Sequence, residues 1–485
     1  MIEALRGLGY SAATALADII DNSIAAGAQV VELVFRWDGA ASTISIHDDG
    51  AGMTRAELFA AMRLGDKNPL LHRQAHDLGR FGLGLKTASF SQARRLTVAA
   101  RRDGEVSCLR WDLDELEAAA GDGWYLLQGP APGSEPLLDM SSRQGSGTVV
   151  LWEAMDRIVT SGFREQDFLD LIDAVEGHLA MVFHRYLAGS RPKLKLLMNG
   201  KRVEPWDPFL SAHPATWSSP VARLQAPGGR VEVQCHVLPH KDKLDVDTHR
   251  LAGGPDGWTA QQGFYVYRNE RLLLAGSWLG LGRGRAWTKE EAHRLARIRI
   301  DITNASDQEW KIDIRKSTAR PPVVLRDRLV RLAEDTRERA RRVFAHRGQV
   351  TRRTGGEAVS QAWRADHFKG GMRYRIDQEH PAVQGVLEQA GTLEPLVKAM
   401  LRVIEETIPV QRIWLDTAES RETPRTGFSE VPNAEVVSVL DTMYRNLVLR
   451  RGLSSELARA RLRRTEPFDA FPQLVDALPD IPADK

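Results

Sequence analysis

The chain has 485 residues, with 66 Lys+Arg against 64 Asp+Glu, 13 His and two cysteines. With 42% hydrophobic and 27% charged residues it has the make-up of a globular protein rather than a collagen-like or disordered one, and its length suits about three domains. No apolar run reaches the roughly 18 residues of a membrane span, no charged-then-apolar signal core opens the chain, and two cysteines exclude a disulfide framework or a CxxC-type zinc site, so a reducing cytoplasm is the expected compartment.

Residues 11–27 read as a helix, with Ser11 as N-cap, Gly27 as stop and an apolar stripe of Leu16, Ile19, Ile20 and Ile24. Asp18 and Asn22, four apart, share one of its faces. Residues 29–37 and 42–47 read as strands joined by a turn at Asp38-Gly39. Next comes Asp48-Asp49-Gly50-Ala51-Gly52-Met53, then a helix over 54–64 and an irregular polar stretch over 65–78. Gly79-Arg80-Phe81-Gly82-Leu83-Gly84-Leu85-Lys86-Thr87 opens a helix through Gln92. Strand character returns over 94–111, residues 120–147 read as a long loop, and Gly147–Trp152 is a further strand carrying Thr148. A helix near 165–190 closes the first unit. A second unit, about 192–320, holds strands at 194–204, 229–238, 263–274 and 296–303. A helix follows Pro321-Pro322 with Leu325, Leu329, Leu332, Thr336, Ala340 and Val343 on one side. A Gly/Arg-rich linker lies at 347–357, and the last part reads as mostly helical.

Three pieces within the first 90 residues fit one nucleotide site. An amide oxygen such as that of Asn22 is a hard ligand suited to Mg²⁺ that keeps waters and phosphate oxygens. Asp18, one turn away, could orient or deprotonate an attacking water. A carboxylate at a strand end, Asp48, can accept an adenine amino group, and Gly50 and Gly52 let the backbone turn sharply there. The glycines Gly79, Gly82 and Gly84 at a helix start let N–H groups converge on phosphate.

The order of these pieces resembles the GHKL ATPases (gyrase B, Hsp90, histidine kinase and MutL type), and within them the MORC-type ATPases and their bacterial MORC/MutL-like relatives. Asp18-x-x-x-Asn22 resembles the N box, Asp48-x-Gly50-x-Gly52 the first glycine box, and Gly79-x-x-Gly82-x-Gly84 the second, so that residues 65–84 would form an ATP lid. The resemblance implies an α+β protein: a Bergerat-type ATP-binding α/β sandwich (1–190), a ribosomal S5-like transducer domain with a basic helix (191–345), a linker (346–370) and a mainly helical region (371–485). It implies ATP and Mg²⁺ as cofactors. Asn22 would hold the metal, and Asn22, Asp48, Gly50, Gly52, Met53, Gly79, Phe81, Gly82, Leu83, Gly84, Lys86, Thr87 and Thr148 would line the nucleotide. Gly263–Leu272 and Trp310–Ser317 resemble transducer segments, and Lys316 matches the lysine that touches the γ-phosphate, with Lys311 as second choice.

The chain departs from the family at Asp18, which stands where a glutamate usually serves as base. One methylene fewer predicts slow hydrolysis; Asp21 is the alternative base. Only about ten residues precede the first helix, so an N-terminal dimer strap is expected to be truncated. Residues 315–353 carry thirteen Lys/Arg against four acids, a local balance of +9. That segment reads either as a solvated helix face or as a salt-sensitive phosphate-backbone patch. The resemblance favours double-stranded DNA, and it also implies a homodimer closing on ATP and a partner nuclease or helicase in bacterial DNA restriction or phage defence. The rival expectation is a nucleotide-gated protein-binding switch or an Hsp90-like chaperone with little hydrolysis. Asp377–Glu388 does not keep the spacing of a MutL-type nuclease motif, and His72 with His76 read as solvent-facing residues.

Overall fold

A computed structural model describes residues 6–7, 9–63, 84–118, 125–138, 145–226, 228–306, 309–312, 319–345, 360–368, 371–410, 412–413 and 434–481. The chain forms two compact units, Met1–Gly348 and Gln349–Lys485. No helix among the described residues is long and apolar enough to cross a membrane.

The first unit opens with helix α1 (Ala12–Ala25), capped by Ser11, whose hydroxyl accepts from the Thr14 N–H. A hairpin of β1 (Val30–Arg36) and β2 (Thr43–Asp48) follows, then α2 (Arg55–Met62) with a Thr54/Glu57 capping box, and α3 (Gly84–Phe90). Strands β3 (Arg95–Arg102), β4 (Glu105–Asp112), β5 (Leu127–Gln128) and β6 (Gly147–Glu153), helix α4 (Glu165–Val182), and strands β7 (Lys195–Met198) and β8 (Lys201–Arg202) complete an eight-stranded sheet of order β5-β4-β3-β6-β2-β1-β7-β8. Alternation decides its faces. Val31, Leu33 and Phe35 of β1 turn to a core shared with Leu16, Ile19 and Ile20 of α1 and with Phe168, Val175 and Leu179 of α4. Ala99, Val149 and Leu151 turn to a smaller cluster with Leu138.

The 194–204 stretch, expected in the second unit, instead extends this first sheet, with β7 pairing parallel to β1 from Val30↔Lys195 to Leu33↔Met198. Short strands carry no signal of their partner, and only the neighbouring β1 edge decides the placement.

The second sheet has the order β10 (Ala222–Ala226), β11 (Gly229–Val237), β14 (Ala296–Ile302), β12 (Gly263–Arg268), β13 (Arg271–Ser277), with β9 (Trp217–Ser218) on β11. One face, with Val233, Cys235, Ile298, Ile300 and Phe264, packs on helix α5 (Val323–Ala345) through Leu325, Leu329, Ala333 and Ala340. The other packs Tyr265, Tyr267 and Leu272 on Phe209 and on Met181 from the end of α4. The expected strand over 263–274 is a hairpin: Asn269 and Glu270 both take positive φ (49° and 67°), as a tight two-residue turn demands. Tyr186 Oη donates to the Asn269 carbonyl at 2.6 Å, and Lys193 pairs with Glu270 at 2.6 Å, so tertiary contacts hold a turn that Asn-Glu does not favour locally.

In Gln349–Lys485 a hairpin of β15 (Trp363–Phe368) and β16 (Gly371–Ile376) accompanies helices α6 (Pro381–Ala390), α7 (Glu394–Glu406), α8 (Ala434–Arg445) and α9 (Ser455–Leu462). The first of these strands falls inside the expected linker 346–370. Leu440, Met443, Tyr444, Leu447, Leu462 and Phe468 form this unit's core.

Leu329 is fully buried between α5 and the second sheet. Leu329→Ala should cost about 2–5 kcal/mol, read as a lower urea midpoint at unchanged m-value; an unchanged midpoint would contradict this packing.

Candidate functional site

Helix α1 and the end of β2 set the site. Asp48 is the last residue of β2, and Thr148 of β6 lies opposite it in the register. Ser23 Oγ donates to Asp48 Oδ2 at 2.8 Å, and the Gly50 N–H donates to Oδ1 at 3.0 Å. Burial pushes the Asp48 carboxyl above its usual range, while Ser23 and the Gly50 and Thr148 backbones pull the other way by stabilising the carboxylate. The neighbouring Asp49 faces the opposite way along the chain. Its Oδ1 accepts from the Gln29 and Val30 N–H groups, both at 2.8 Å, and so fixes the entry to β1.

The loop after Asp48 runs tightly against α1, with the Ala51 N–H on the Ala26 carbonyl at 2.9 Å. Gly52 takes φ +65°, and a Cβ there would lie 1.9 Å from the Arg101 carbonyl oxygen. Met53 is partly buried against the core of the first sheet.

On α1, Asn22 is exposed, whereas Asp18 and Asp21 are buried. Tyr10 Oη donates to Asp18 Oδ2 at 3.1 Å. Arg271, from β13, donates through Nε to both Asp21 oxygens at 3.1 Å, and its Nη2 lies 3.7 Å from Asp18 Oδ1. Asp48, Gly50, Gly52 and Met53 thus follow one another at the end of β2 with Thr148 opposite Asp48, and Ser23 is the α1 residue that touches Asp48, whereas Asp18 on the same helix is turned to Tyr10 and Arg271.

Gly84 is the first residue of α3, and Thr87 Oγ1 donates to its carbonyl at 3.4 Å. Lys86 is buried, and its ammonium donates to the Ala61 carbonyl at 2.9 Å and the Arg63 carbonyl at 2.5 Å. That contact closes the C-terminal end of α2, where carbonyls lack helical partners. Gly79, Phe81, Gly82, Leu83, His72, His76 and Lys316 lie outside the described residues. Lys311 is exposed, at φ 47°.

Within α5 the basic segment is less free than its composition implies. The helix holds seven arginines and four acids, a balance of +3. Arg337 is buried, its guanidinium 4.8 Å from the ring centroids of both Trp278 and Trp287, and Arg339 lies 4.1 Å over Trp217. Arg328, Arg331 and Arg342 remain on one exposed side.

Chemically, a desolvated carboxylate at a strand end above a tight glycine loop can accept a single N–H donor such as a purine amino group. An exposed amide one turn from a buried carboxylate suits a hydrated divalent cation beside a positioned water. Among the described residues no group of three or more His, Cys, Asp or Glu could hold a metal by itself.

Residues 10–148 match the family of histidine kinase-, DNA gyrase B- and HSP90-like ATPases. The match takes in 139 of the 485 residues (148 − 10 + 1), so the likeness to these ATPases belongs to the first part of the chain. ATPase morc-1 of Caenorhabditis elegans is 29% identical over 96 residues, 20% of this chain and 11% of that protein. Chaperone protein HtpG is 32% identical over 106 residues in Chromobacterium violaceum (19% of this chain, 15% of that protein) and 30% over 122 residues in Hydrogenovibrio crunogenus (23% and 18%). The chain therefore spans less than a fifth of the length of each of these relatives.

Three side chains that hold these carboxylates are not marked by the sequence. Ser23 is adjacent to Asn22 but points to Asp48. Tyr10 precedes α1. Arg271 arrives from 250 residues away. No local pattern marks them, since each gains its meaning only from the packing of α1.

Gly52→Ala should lower stability by roughly 1–3 kcal/mol, because the added methyl meets a backbone carbonyl. Thermal unfolding checks this, and an unchanged midpoint would contradict the loop's close approach.

Proposed function

We propose that this chain is an ATP-operated conformational switch that hydrolyses its nucleotide slowly. The observation that supports it most is the buried Asp48 carboxylate, held by Ser23 of α1 and by the Gly50 and Thr148 backbones, on the same helix that carries Asn22 and Asp18. In this reading Asp48 accepts the adenine amino group, with Gly50, Gly52 and Met53 beneath the base and Thr148 beside it. Asn22 would hold Mg²⁺, which when bound neutralises phosphate charge. Gly79, Phe81, Gly82, Leu83, Gly84 and Thr87 belong to the lid and its hinge. Lys86, seated on the end of α2, acts by anchoring that hinge. Asp18 orients and deprotonates the water that attacks the γ-phosphate. Lys316 would contact that phosphate from the S5-like transducer domain implied by the resemblance, so the position of that domain would depend on whether ATP is intact.

Two protomers close as a homodimer when ATP is bound, and the exposed arginines of α5 grip double-stranded DNA as a sequence-independent target. Cytoplasmic action with a partner nuclease or helicase in DNA restriction or phage defence follows from the MORC-like resemblance. A second reading, a protein-binding switch of chaperone type, is favoured by α7: Leu396, Met400 and Val403 on it are 67, 55 and 62% exposed, an apolar stripe at helical spacing.

Asp48→Ala should abolish ATP binding in calorimetry. Asp18→Asn should keep binding yet lower steady-state turnover by about 10²-fold or more, and Asn22→Ala should remove Mg²⁺-dependent turnover. Retained affinity in Asp48→Ala would overturn the adenine assignment, and undiminished turnover in Asp18→Asn would remove its role as base.

A further inference from the structure

We infer that Arg271 is a positioning residue for ATP hydrolysis: from the second sheet it sets the orientation of Asp18, the carboxylate assigned to the attacking water. This rests on the hydrolytic reading given above. Arg271 is the first residue of β13, directly after the Asn269-Glu270 turn, and its side chain is 3% exposed. Its Nε donates to both oxygens of Asp21 at 3.1 Å, its Nη1 donates to the Leu272 carbonyl at 2.6 Å, and its Nη2 stands 3.7 Å from Asp18 Oδ1. Its guanidinium carbon lies 5.8 Å from the centroid of the Phe183 ring, which flanks it where α4 ends.

One cation thus serves two buried carboxylates three residues apart on α1. Asp21 has both oxygens on the guanidinium and acts as the tether. Asp18 Oδ1 stands at ion-pair distance, 3.7 Å, from Nη2 of the same guanidinium without a hydrogen bond to it, and Oδ2 accepts from the Tyr10 hydroxyl at 3.1 Å. His178 of α4, beside this cluster, is pushed down to about 4 by burial and by Arg271, so it stays neutral and does not compete for the carboxylates. Two buried like charges on neighbouring helical turns persist only while a cation compensates them. The orientation of Asp18 is therefore tied to where β13 stands. The planar fork is rigid, and a displacement of order 1 Å in a reacting geometry can cost about 10²-fold in rate. A shift of the second sheet would re-aim Asp18 without touching Asp48 or the adenine end of the site.

The test uses the full chain in three variants, with steady-state ATP hydrolysis and calorimetric binding of a non-hydrolysable ATP analogue with Mg²⁺. Arg271→Met keeps the apolar stem and removes the charge. It should lower kcat by about tenfold or more while KM and analogue affinity stay within about twofold, the pattern of an interaction made only in the transition state. Arg271→Lys restores charge without the fork and should recover part of that kcat; if Arg271→Met does not fold, an intermediate kcat in Arg271→Lys carries the result. A folded Arg271→Met with wild-type kcat, an Arg271→Lys equal to wild type where Met does not fold, or a loss confined to KM would each overturn the positioning role. Asp18→Asn separates the two levels. If it is inactive while Arg271→Met is fully active, only the Arg271 inference fails. If Asp18→Asn turns over normally, or the wild-type chain hydrolyses nothing, the hydrolytic reading itself fails and the inference with it.

Discussion

Helix α1 carries two carboxylates into the interior, and β2 ends on a third close by. Buried carboxylates need donors, and the architecture of the first unit is organised around supplying them. Asp48 is satisfied locally, by Ser23 on α1 and by the backbone of its own glycine loop and of β6. Asp18 and Asp21 are satisfied from a distance, by Tyr10 before the helix and by Arg271 on the second sheet. The same helix therefore meets the Asp48 end of the first sheet and is joined to the second through one guanidinium. Breaking a buried pair by deleting one partner typically costs about 3–5 kcal/mol, so the joint resists separation.

The joint has further fastenings. His184 and Tyr267 share a hydrogen bond at 2.8 Å, Arg185 pairs with Asp301 at 2.5 Å and stacks 3.6 Å over Tyr267, and Tyr186 holds the turn of the β12–β13 hairpin. His184, Arg185 and Tyr186 directly follow α4, whose last turn also packs on the second sheet through Met181. A switch that transmits nucleotide state needs a stiff lever at this point rather than a loose tether, because only discrete repacking passes a small displacement onward.

What was legible in the sequence is what local chemistry decides. The Ser11 cap and the Leu16/Ile19/Ile20 stripe gave α1, the alternation of Val31, Leu33 and Phe35 gave β1, and Asp48-x-Gly50-x-Gly52 gave the tight loop. Non-local pairing was not legible. Residues 195–198 read as a strand without revealing that β1 is their partner. The Asn269-Glu270 turn lacked the glycine that normally announces positive φ, and Tyr186 and Lys193 supply the missing stabilisation. The resemblance places Lys86 among the residues lining the nucleotide, and no local pattern shows that its ammonium also donates to the Ala61 and Arg63 carbonyls at the end of α2. Arg337 counts towards the basic segment by composition, yet its guanidinium lies against Trp278 and Trp287. Charge counting along a helix cannot distinguish an arginine that faces solvent from one that caps an aromatic core. Lys316, and the glycines from Gly79 to Gly82, lie outside the described residues.

The central claim is that nucleotide bound on the Asp48 side is sensed at Arg271. Hydrogen exchange of the full chain, with and without a non-hydrolysable ATP analogue and Mg²⁺, tests it directly. The account predicts slower exchange in α1 and, together with it, in Arg271–Ser277. Protection confined to α1 and the first sheet, with Arg271–Ser277 unchanged, would contradict it.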